Sequence, residues 1–188
     1  MVPRMSEAEL ALFKAFLAKS QRYLEFGTGG STVQASAQAR QWIVSIDSSQ
    51  DWLDKVATQC AGSPTTPELV FADIGRTGDW GFPLEAAARP RWAGYHDDVW
   101  RDIPKTRDAD FIMVDGRFRV ACFAQAVLHC QETAFIGFHD FASRPHYHVV
   151  RELGREIAVA QDMSVFSPFR GVREKAARIL EAFRETPQ

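Results

Sequence analysis

Short runs of apolar residues alternate with longer amphipathic segments along the chain. Five runs have the length of a strand and are apolar nearly throughout, which is typical of strands that helices cover on both faces of a parallel sheet. They are residues 22–26, 42–46, 69–72, 111–114 and 133–138. The pattern predicts an α/β fold, a mostly parallel twisted sheet with right-handed crossovers and helices on both faces.

The segments between the runs carry apolar residues at helical spacing. The first, over residues 7–19, begins at a capping box formed by Ser6 and Glu9. Later helices are predicted over residues 32–39, 49–60, 118–130 and 172–183. Residues 157–160 and 164–166 flank Gln161 and Asp162, which predicts an antiparallel hairpin near the carboxyl terminus.

Residues 75–104 form the one stretch without a clear period. It is rich in Gly, Pro, Arg and Trp and too long for a simple connection. We predict an irregular lid or substrate loop, in which Trp80, Trp92, Tyr95, His96 and Trp100 either line an acceptor pocket or fill the core.

Composition narrows the class of protein. A chain of 188 residues, 46% hydrophobic and 24% charged, fits one globular domain over residues 1–188. The formal charge of −2 and the absence of a basic stripe argue against a nucleic-acid partner. The sequence contains neither a membrane-spanning stretch nor a secretory leader, so we expect a cytoplasmic protein with reduced Cys60, Cys122 and Cys130.

The strongest local signal is a glycine turn between the first strand and the helix after it. Glycines there allow close backbone approach and positive φ, and the start of the helix offers free amides. Asp47 ends the second run, twenty residues after Gly27, where a carboxylate can accept hydrogen bonds from both ribose hydroxyls of an adenosine-containing ligand. The pattern predicts a nucleoside-binding site. Structural glycines, and Asp47 as a helix cap together with Ser48, remain the alternatives.

The turn reads Glu25-x-Gly27-Thr28-Gly29-Gly30-Ser31-Thr32, followed later by Asp47 and Asp73. It resembles the class I S-adenosylmethionine-dependent methyltransferases, most of all short bacterial members with a first motif of the form E-x-G-x-G-G-S-T. The resemblance covers about residues 22–141 and implies a Rossmann-like methyltransferase fold. The commoner family form has a third glycine at the position of Ser31.

The resemblance also implies the contacts of the cofactor. Glu25, Gly27 and Gly29 would surround its methionine portion, and Thr28, Gly30 and Ser31 belong to the same turn. Asp47, followed by Ser48, would hold the ribose, and Asp73 would lie near the adenine amino group. From the residues alone, Glu25 could instead be a buried carboxylate bonded by the turn, and Asp73 a loop acid.

Three polar residues, Asp115, His139 and Asp140, follow the fourth and fifth runs. The carboxyl ends of neighbouring parallel strands face one cleft. His139 suits a general base, with an ordinary pKa of about 6.5, and the carboxylates suit a divalent cation such as Mg²⁺, although three groups are too few to name the metal. The alternative is that Asp115 and Asp140 stabilise local turns and that His139 is packed.

Arg117 and Arg119 come next along the chain and either bind an anionic substrate or lie solvated at the start of a helix. Together these features predict a methyltransferase that acts on a small or exposed acceptor, through an oxygen. Specificity would come from residues 75–104, the opening helix, the loop after Asp140, or a second subunit of a homodimer. The alternatives are an NAD-dependent oxidoreductase, which Thr32 in place of a glycine disfavours, and a non-catalytic nucleoside-binding protein of the same fold.

Overall fold

A seven-stranded sheet forms the middle of the molecule in the computed structural model, which describes residues 1–188. Its strands are β1 (Arg22–Phe26), β2 (Trp42–Asp47), β3 (Glu68–Phe71), β4 (Phe111–Val114), β5 (Phe135–Phe138), β6 (Gly154–Ala160) and β7 (Met163–Pro168). Their order across the sheet is β3-β2-β1-β4-β5-β7-β6. The first five pair in parallel, whereas β7 pairs antiparallel with β5 and β6. The predicted Rossmann-like sheet with its carboxyl-terminal hairpin is confirmed.

Six α-helices precede, connect or follow the strands. They are α1 (Glu7–Leu17), α2 (Gly30–Ser36), α3 (Gln50–Gln59), α4 (Gly94–Asp102), α5 (Arg119–His129) and α6 (Arg173–Phe183). Helix α1 begins at the predicted capping box, in which the Ser6 backbone N–H donates to Glu9 Oε2 over 2.7 Å. No helix is long and apolar enough to cross a membrane.

Helix α4 lies inside the stretch predicted to be irregular, so that prediction was wrong for its second half. Tyr95, Val99 and Trp100 are buried on this helix, but the Gly, Pro and Arg residues before them obscured the helical period. The part of this stretch before α4, residues 75–93, contains no α-helix or strand, and it includes two short 3-10 turns.

Apolar residues from the helices cover both faces of the sheet. The larger cluster contains Phe118 and Phe123 beside Phe138, under α4, α5 and α6. The smaller one packs Phe13 of α1 against Tyr23 and Phe111. Burying each such side chain contributes about 1.5–3 kcal/mol. Helices therefore cover both faces of the central strands, and the carboxyl ends of these strands remain accessible to a ligand.

The chain reverses its direction across the sheet between β1 and β4. From β1 it proceeds to β2 and β3 on one side, and it then returns to β4 on the other side of β1. Ligands of open α/β sheets bind beyond the carboxyl ends of the strands at such a switch point. The glycine turn after β1 and the Asp115–Gly116 turn after β4 meet here.

Candidate functional site

A cleft of about 1060 Å³ lies at the switch point, beyond the carboxyl ends of β1, β2, β4 and β5. Ten of the twelve residues predicted to bind the cofactor or to act in catalysis line it: Gly27, Thr28, Gly29, Gly30, Ser31, Asp47, Ser48, Asp115, His139 and Asp140. The fold thus brings the glycine turn, the acid after β2 and the polar residues after β4 and β5 into one site.

The glycine turn combines one crowded position with one open position. Gly27 has φ of +100°, and a Cβ there would lie 2.5 Å from the Gly116 backbone nitrogen. Gly29 is extended, and a Cβ at that residue would meet no atom within 4 Å. Gly27 therefore allows the turns after β1 and β4 to pack closely against each other. Gly29 leaves backbone without a side chain at the wall of the cleft, and we call this open part of the turn the cradle. This cradle fits a ligand that approaches the main chain closely.

Asp47 stands at the end of β2 and lines the cleft beside the turn. Its Oδ1 accepts a hydrogen bond from the Ser49 backbone N–H over 3.0 Å. Ser49 itself caps α3, because its hydroxyl accepts from the Trp52 N–H. Burial raises the pKa of Asp47 to about 6, although backbone hydrogen bonds from Ser49, Ser48 and Thr28 oppose the rise. In its ionised form this carboxylate can accept hydrogen bonds from a diol.

Glu25 does not line the cleft. It lies fully buried beneath the turn and accepts hydrogen bonds from the hydroxyls of Ser31, Thr32 and Ser45. Burial raises its pKa to about 7, although these hydroxyls oppose the rise. The structure therefore places this carboxylate beneath the turn, where it supports Ser31 and Thr32.

Asp73 also lies outside the cleft. Its Oδ1 accepts from the Gly75 backbone N–H over 3.0 Å, and its Oδ2 pairs with Arg91 at the surface. This geometry matches a turn-forming loop acid, the alternative that the sequence left open.

His139 sits among three carboxylates. Its Nδ1 is 3.0 Å from Asp115 Oδ1 and 3.6 Å from Asp140 Oδ1, and its Nε2 is 3.7 Å from Glu9 Oε2. Burial alone would lower the pKa of His139, but the hydrogen bond to Asp115 and the charges of Asp115 and Asp140 outweigh it and raise the pKa. Because 3.7 Å is too long for a hydrogen bond, Nε2 remains without a partner.

The residue types of Asp115, His139 and Asp140 suit a metal ion, and their ligand atoms lie within 4.8 Å of one another. Two guanidinium groups already neutralise the carboxylates. Arg119 Nη2 is 3.2 Å from Asp115 Oδ1 and 3.1 Å from Asp140 Oδ2, and Arg144 is 2.9 Å from the same Asp140 oxygen. A divalent cation would have to displace these arginines against like-charge repulsion. The cluster does not fit the Mg²⁺ that the sequence suggested.

The spacing along the sequence could have predicted the ion pairs of Arg119 and Arg144, but the sequence analysis did not use it. Asp115 with Arg119 and Asp140 with Arg144 each stand four residues apart and pair at that spacing. Glu9, in contrast, was recognised only as a capping residue. Its approach to His139 joins parts of the chain that no local pattern relates.

Aromatic residues of the 75–104 stretch divide between the cleft and the core. Trp80 and Tyr95 line the cleft, whereas Trp92, His96 and Trp100 are buried elsewhere. Residues 1–5 form a further wall, since the backbone of Pro3 passes directly over Gly30 and the Arg4 guanidinium lies 4.4 Å from the Trp80 ring centre.

The fold is shared with solved structures of methyltransferases and of a decarboxylase. A methyltransferase-like protein from Silicibacter pomeroyi DSS-3 is 28% identical, with 95% of this chain and 96% of that chain covered and a TM-score of 0.82. A ribosomal protein L11 methylase from Lactobacillus delbrueckii subsp. bulgaricus is 10% identical, with coverage of 88% and 79% and a TM-score of 0.52. The precorrin 8w decarboxylase from Methanobacterium thermoautotrophicum is 12% identical, with coverage of 89% and 94% and a TM-score of 0.54.

The last two likenesses concern the fold alone. No protein-family model and no curated protein matches the chain. The likeness to the Silicibacter protein extends over nearly the whole of both chains. The chain therefore has the fold of methyltransferases, and this likeness supports the class I S-adenosylmethionine-dependent methyltransferase superfamily that the glycine turn resembles.

Proposed function

We propose that the chain binds S-adenosylmethionine in this cleft and transfers its methyl group to an oxygen of a small acceptor. The main support for the proposal is the open cradle at Gly29. It lines the same cleft as Asp47, and this cleft lies at the switch point of the sheet. Bare backbone and a carboxylate in this relation suit the amino-acid tail and the ribose of an adenosine derivative.

Each wall of the cleft has a separate task in this proposal. Asp47 would accept hydrogen bonds from the ribose hydroxyls, and the turn at Gly27 and Gly29 would admit the methionine portion. When bound, the cofactor supplies a methyl group on a cationic sulfur; the sulfur keeps the electron pair of the broken S–C bond as a lone pair of the acceptor oxygen forms the new O–C bond. Holding the acceptor in line accounts for much of the acceleration, up to about 7–11 kcal/mol.

His139 would take the proton of an acceptor hydroxyl. Its Nδ1–H donates to Asp115, which fixes the ring and leaves Nε2 to accept the proton. The resulting imidazolium would be stabilised by Asp115 and by Glu9, whose Oε2 is 3.7 Å from Nε2. This assignment of the base uses only side chains of the protein. Arg119 and Arg144 already balance the negative charge of Asp140 beside His139.

An NAD-dependent oxidoreductase is the competing assignment within α/β folds. The dinucleotide fold has strand order 3-2-1-4-5-6, whereas this sheet inserts an antiparallel β7 between β5 and β6. Together with Thr32 in the place of a glycine, this topology supports the methyltransferase. A non-catalytic cofactor-binding protein is the other alternative, and turnover distinguishes it.

Two matched substitutions test cofactor binding. Asp47→Asn removes a charge that faces the cleft, and Asp73→Asn makes the same change outside it. We expect calorimetry to show S-adenosylhomocysteine bound by the wild type and about tenfold or more weaker for Asp47→Asn, since hydrogen bonds to a charged group contribute about 1.5–3 kcal/mol. Asp73→Asn should match the wild type. Tight binding of NAD with none of S-adenosylhomocysteine would overturn the proposal.

A further inference from the structure

The wall of the cleft on the side of β4 and β5 is rich in arginine, although the whole chain carries a formal charge of −2. Arg117, Arg119 and Arg144 line it, and Arg4 reaches the cleft from the start of the chain. Arg119 and Arg144 pair with carboxylates of the same wall. Their charges are therefore satisfied within the protein.

Arg117 differs from these two because no carboxylate lies within ion-pair distance of its guanidinium. Its Nε is buried without a hydrogen-bond partner, and its Nη1 makes only a long contact of 3.4 Å with the Pro187 carbonyl. Burial lowers the pKa of Arg117, and the positive charges of Arg119 and Arg144 lower it further. A half-buried cation in this state is costly unless a ligand supplies the missing negative charge.

We infer that the acceptor is a small anion and that its carboxylate or phosphate group pairs with Arg117. The inference rests on the proposed function, which places the cofactor along the β1 and β2 side of the cleft and leaves the β4 and β5 side to the acceptor. A guanidinium matches carboxylate and phosphate through two parallel N–H bonds. An anionic acceptor is also attracted to the cationic sulfur from which it takes the methyl group.

The carboxylate of the cofactor's own amino-acid tail is the other source of such an anion. Two ligands separate the sources, since S-adenosylhomocysteine carries this carboxylate and 5′-methylthioadenosine lacks it. If Arg117 serves the acceptor, Arg117→Gln leaves the affinity for both nucleosides unchanged. If the substitution weakens only S-adenosylhomocysteine, Arg117 belongs to the cofactor and the inference is wrong.

The acceptor side is tested with simple probes on the full chain saturated with S-adenosylhomocysteine. We expect calorimetry to detect benzoate or inorganic phosphate but not uncharged benzamide, with anion affinity about tenfold lower in Arg117→Gln and intermediate in Arg117→Lys. Arg170→Gln is the matched control, because Arg170 is 85% exposed and pairs with Glu132. It should bind the anions as the wild type does.

Two results oppose the inference. Absence of benzoate and phosphate binding to the wild type would refute it, and so would equal anion affinity in Arg117→Gln and the wild type. The same titrations without nucleoside keep the two proposals apart. If S-adenosylhomocysteine does not bind but anions still bind through Arg117, the proposed function fails while the anion site stands.

Discussion

Gly27 and Gly29 belong to one turn, yet their surroundings are opposite. Gly27 has a positive φ, and the Gly116 backbone fills the space where a side chain would begin. Gly29 has an extended backbone that any residue adopts, with open space beside it. The first glycine is required by the fold, and the second leaves open space that a bound cofactor would use in the proposed function. The same substitution at each position therefore separates folding from binding.

Gly29→Ala should leave the free energy of unfolding nearly unchanged and weaken S-adenosylhomocysteine by about tenfold, because the added methyl group projects into the cradle. Gly27→Ala should instead lower the free energy of unfolding by roughly 2–4 kcal/mol, through backbone strain and overpacking. Urea unfolding and calorimetry measure the two effects. Wild-type affinity in Gly29→Ala would show that the turn does not hold the cofactor.

At the scale of elements, Glu25 connects three pieces of the fold. It extends from β1 and accepts hydrogen bonds from Ser31 and Thr32 in the first turn of α2 and from Ser45 of β2. Helix α2 has only seven residues, and its N-cap is Gly29, which provides no side-chain cap. The buried carboxylate therefore stabilises a short helix whose start shapes the cradle.

Glu25 should make stability depend on pH. Its pKa is raised from 4.5 to about 7 in the folded chain, so between these values the folded state binds more protons than the unfolded state. The contribution of Glu25 to stability is full below the unfolded value and is lost as pH rises through the folded value, by roughly 3 kcal/mol in total.

The Glu25→Gln side chain does not titrate. The free energy of unfolding of the wild type should therefore fall relative to that of the variant from about pH 4.5 to pH 8. Urea unfolding at several pH values measures this difference. Glu132→Gln, at an exposed residue, should show no such trend. A difference that stays constant across the range would contradict a raised pKa.

At the scale of the whole molecule, the sequence predicted the frame of the site. Nearly continuous apolar runs identified β1 and β4 to the residue, because strands buried on both faces tolerate few polar side chains. The carboxyl ends of β1 and β4 fixed the positions of Gly27 and Asp115, and the end of β2 fixed that of Asp47. The local pattern of apolar residues is therefore enough to predict the position of a residue that directly follows a strand.

The supports of the site could not be predicted in the same way. Glu25 lies two residues before Gly27, but the side of the turn that it faces depends on hydroxyls from α2 and β2. Glu9 approaches His139 only after α1 packs on the sheet. Contacts between distant segments depend on packing, which periodicity along the chain does not reveal.

His139 combines these distant contributions, since its partners come from α1 and from the ends of β4 and β5. Its raised pKa means that the imidazole is charged at lower pH and becomes a base only as pH rises through that value. The rate of methyl transfer should therefore climb with pH and then level off. Asp115→Asn removes the hydrogen-bonded carboxylate, so the midpoint of the climb should move to lower pH.

Single-turnover rates between about pH 6 and pH 9 measure this profile, with S-adenosylhomocysteine affinity as the control for cofactor binding. His139→Gln should lower the rate by about 10²–10⁴-fold and abolish the climb, because no other histidine lines the cleft. A wild-type rate that is flat over this range, or full activity in His139→Gln, would mean that the acceptor reaches the cleft already deprotonated. Arg117 would then be the residue that holds this anion for attack, and Arg117→Gln would cause the larger loss of rate.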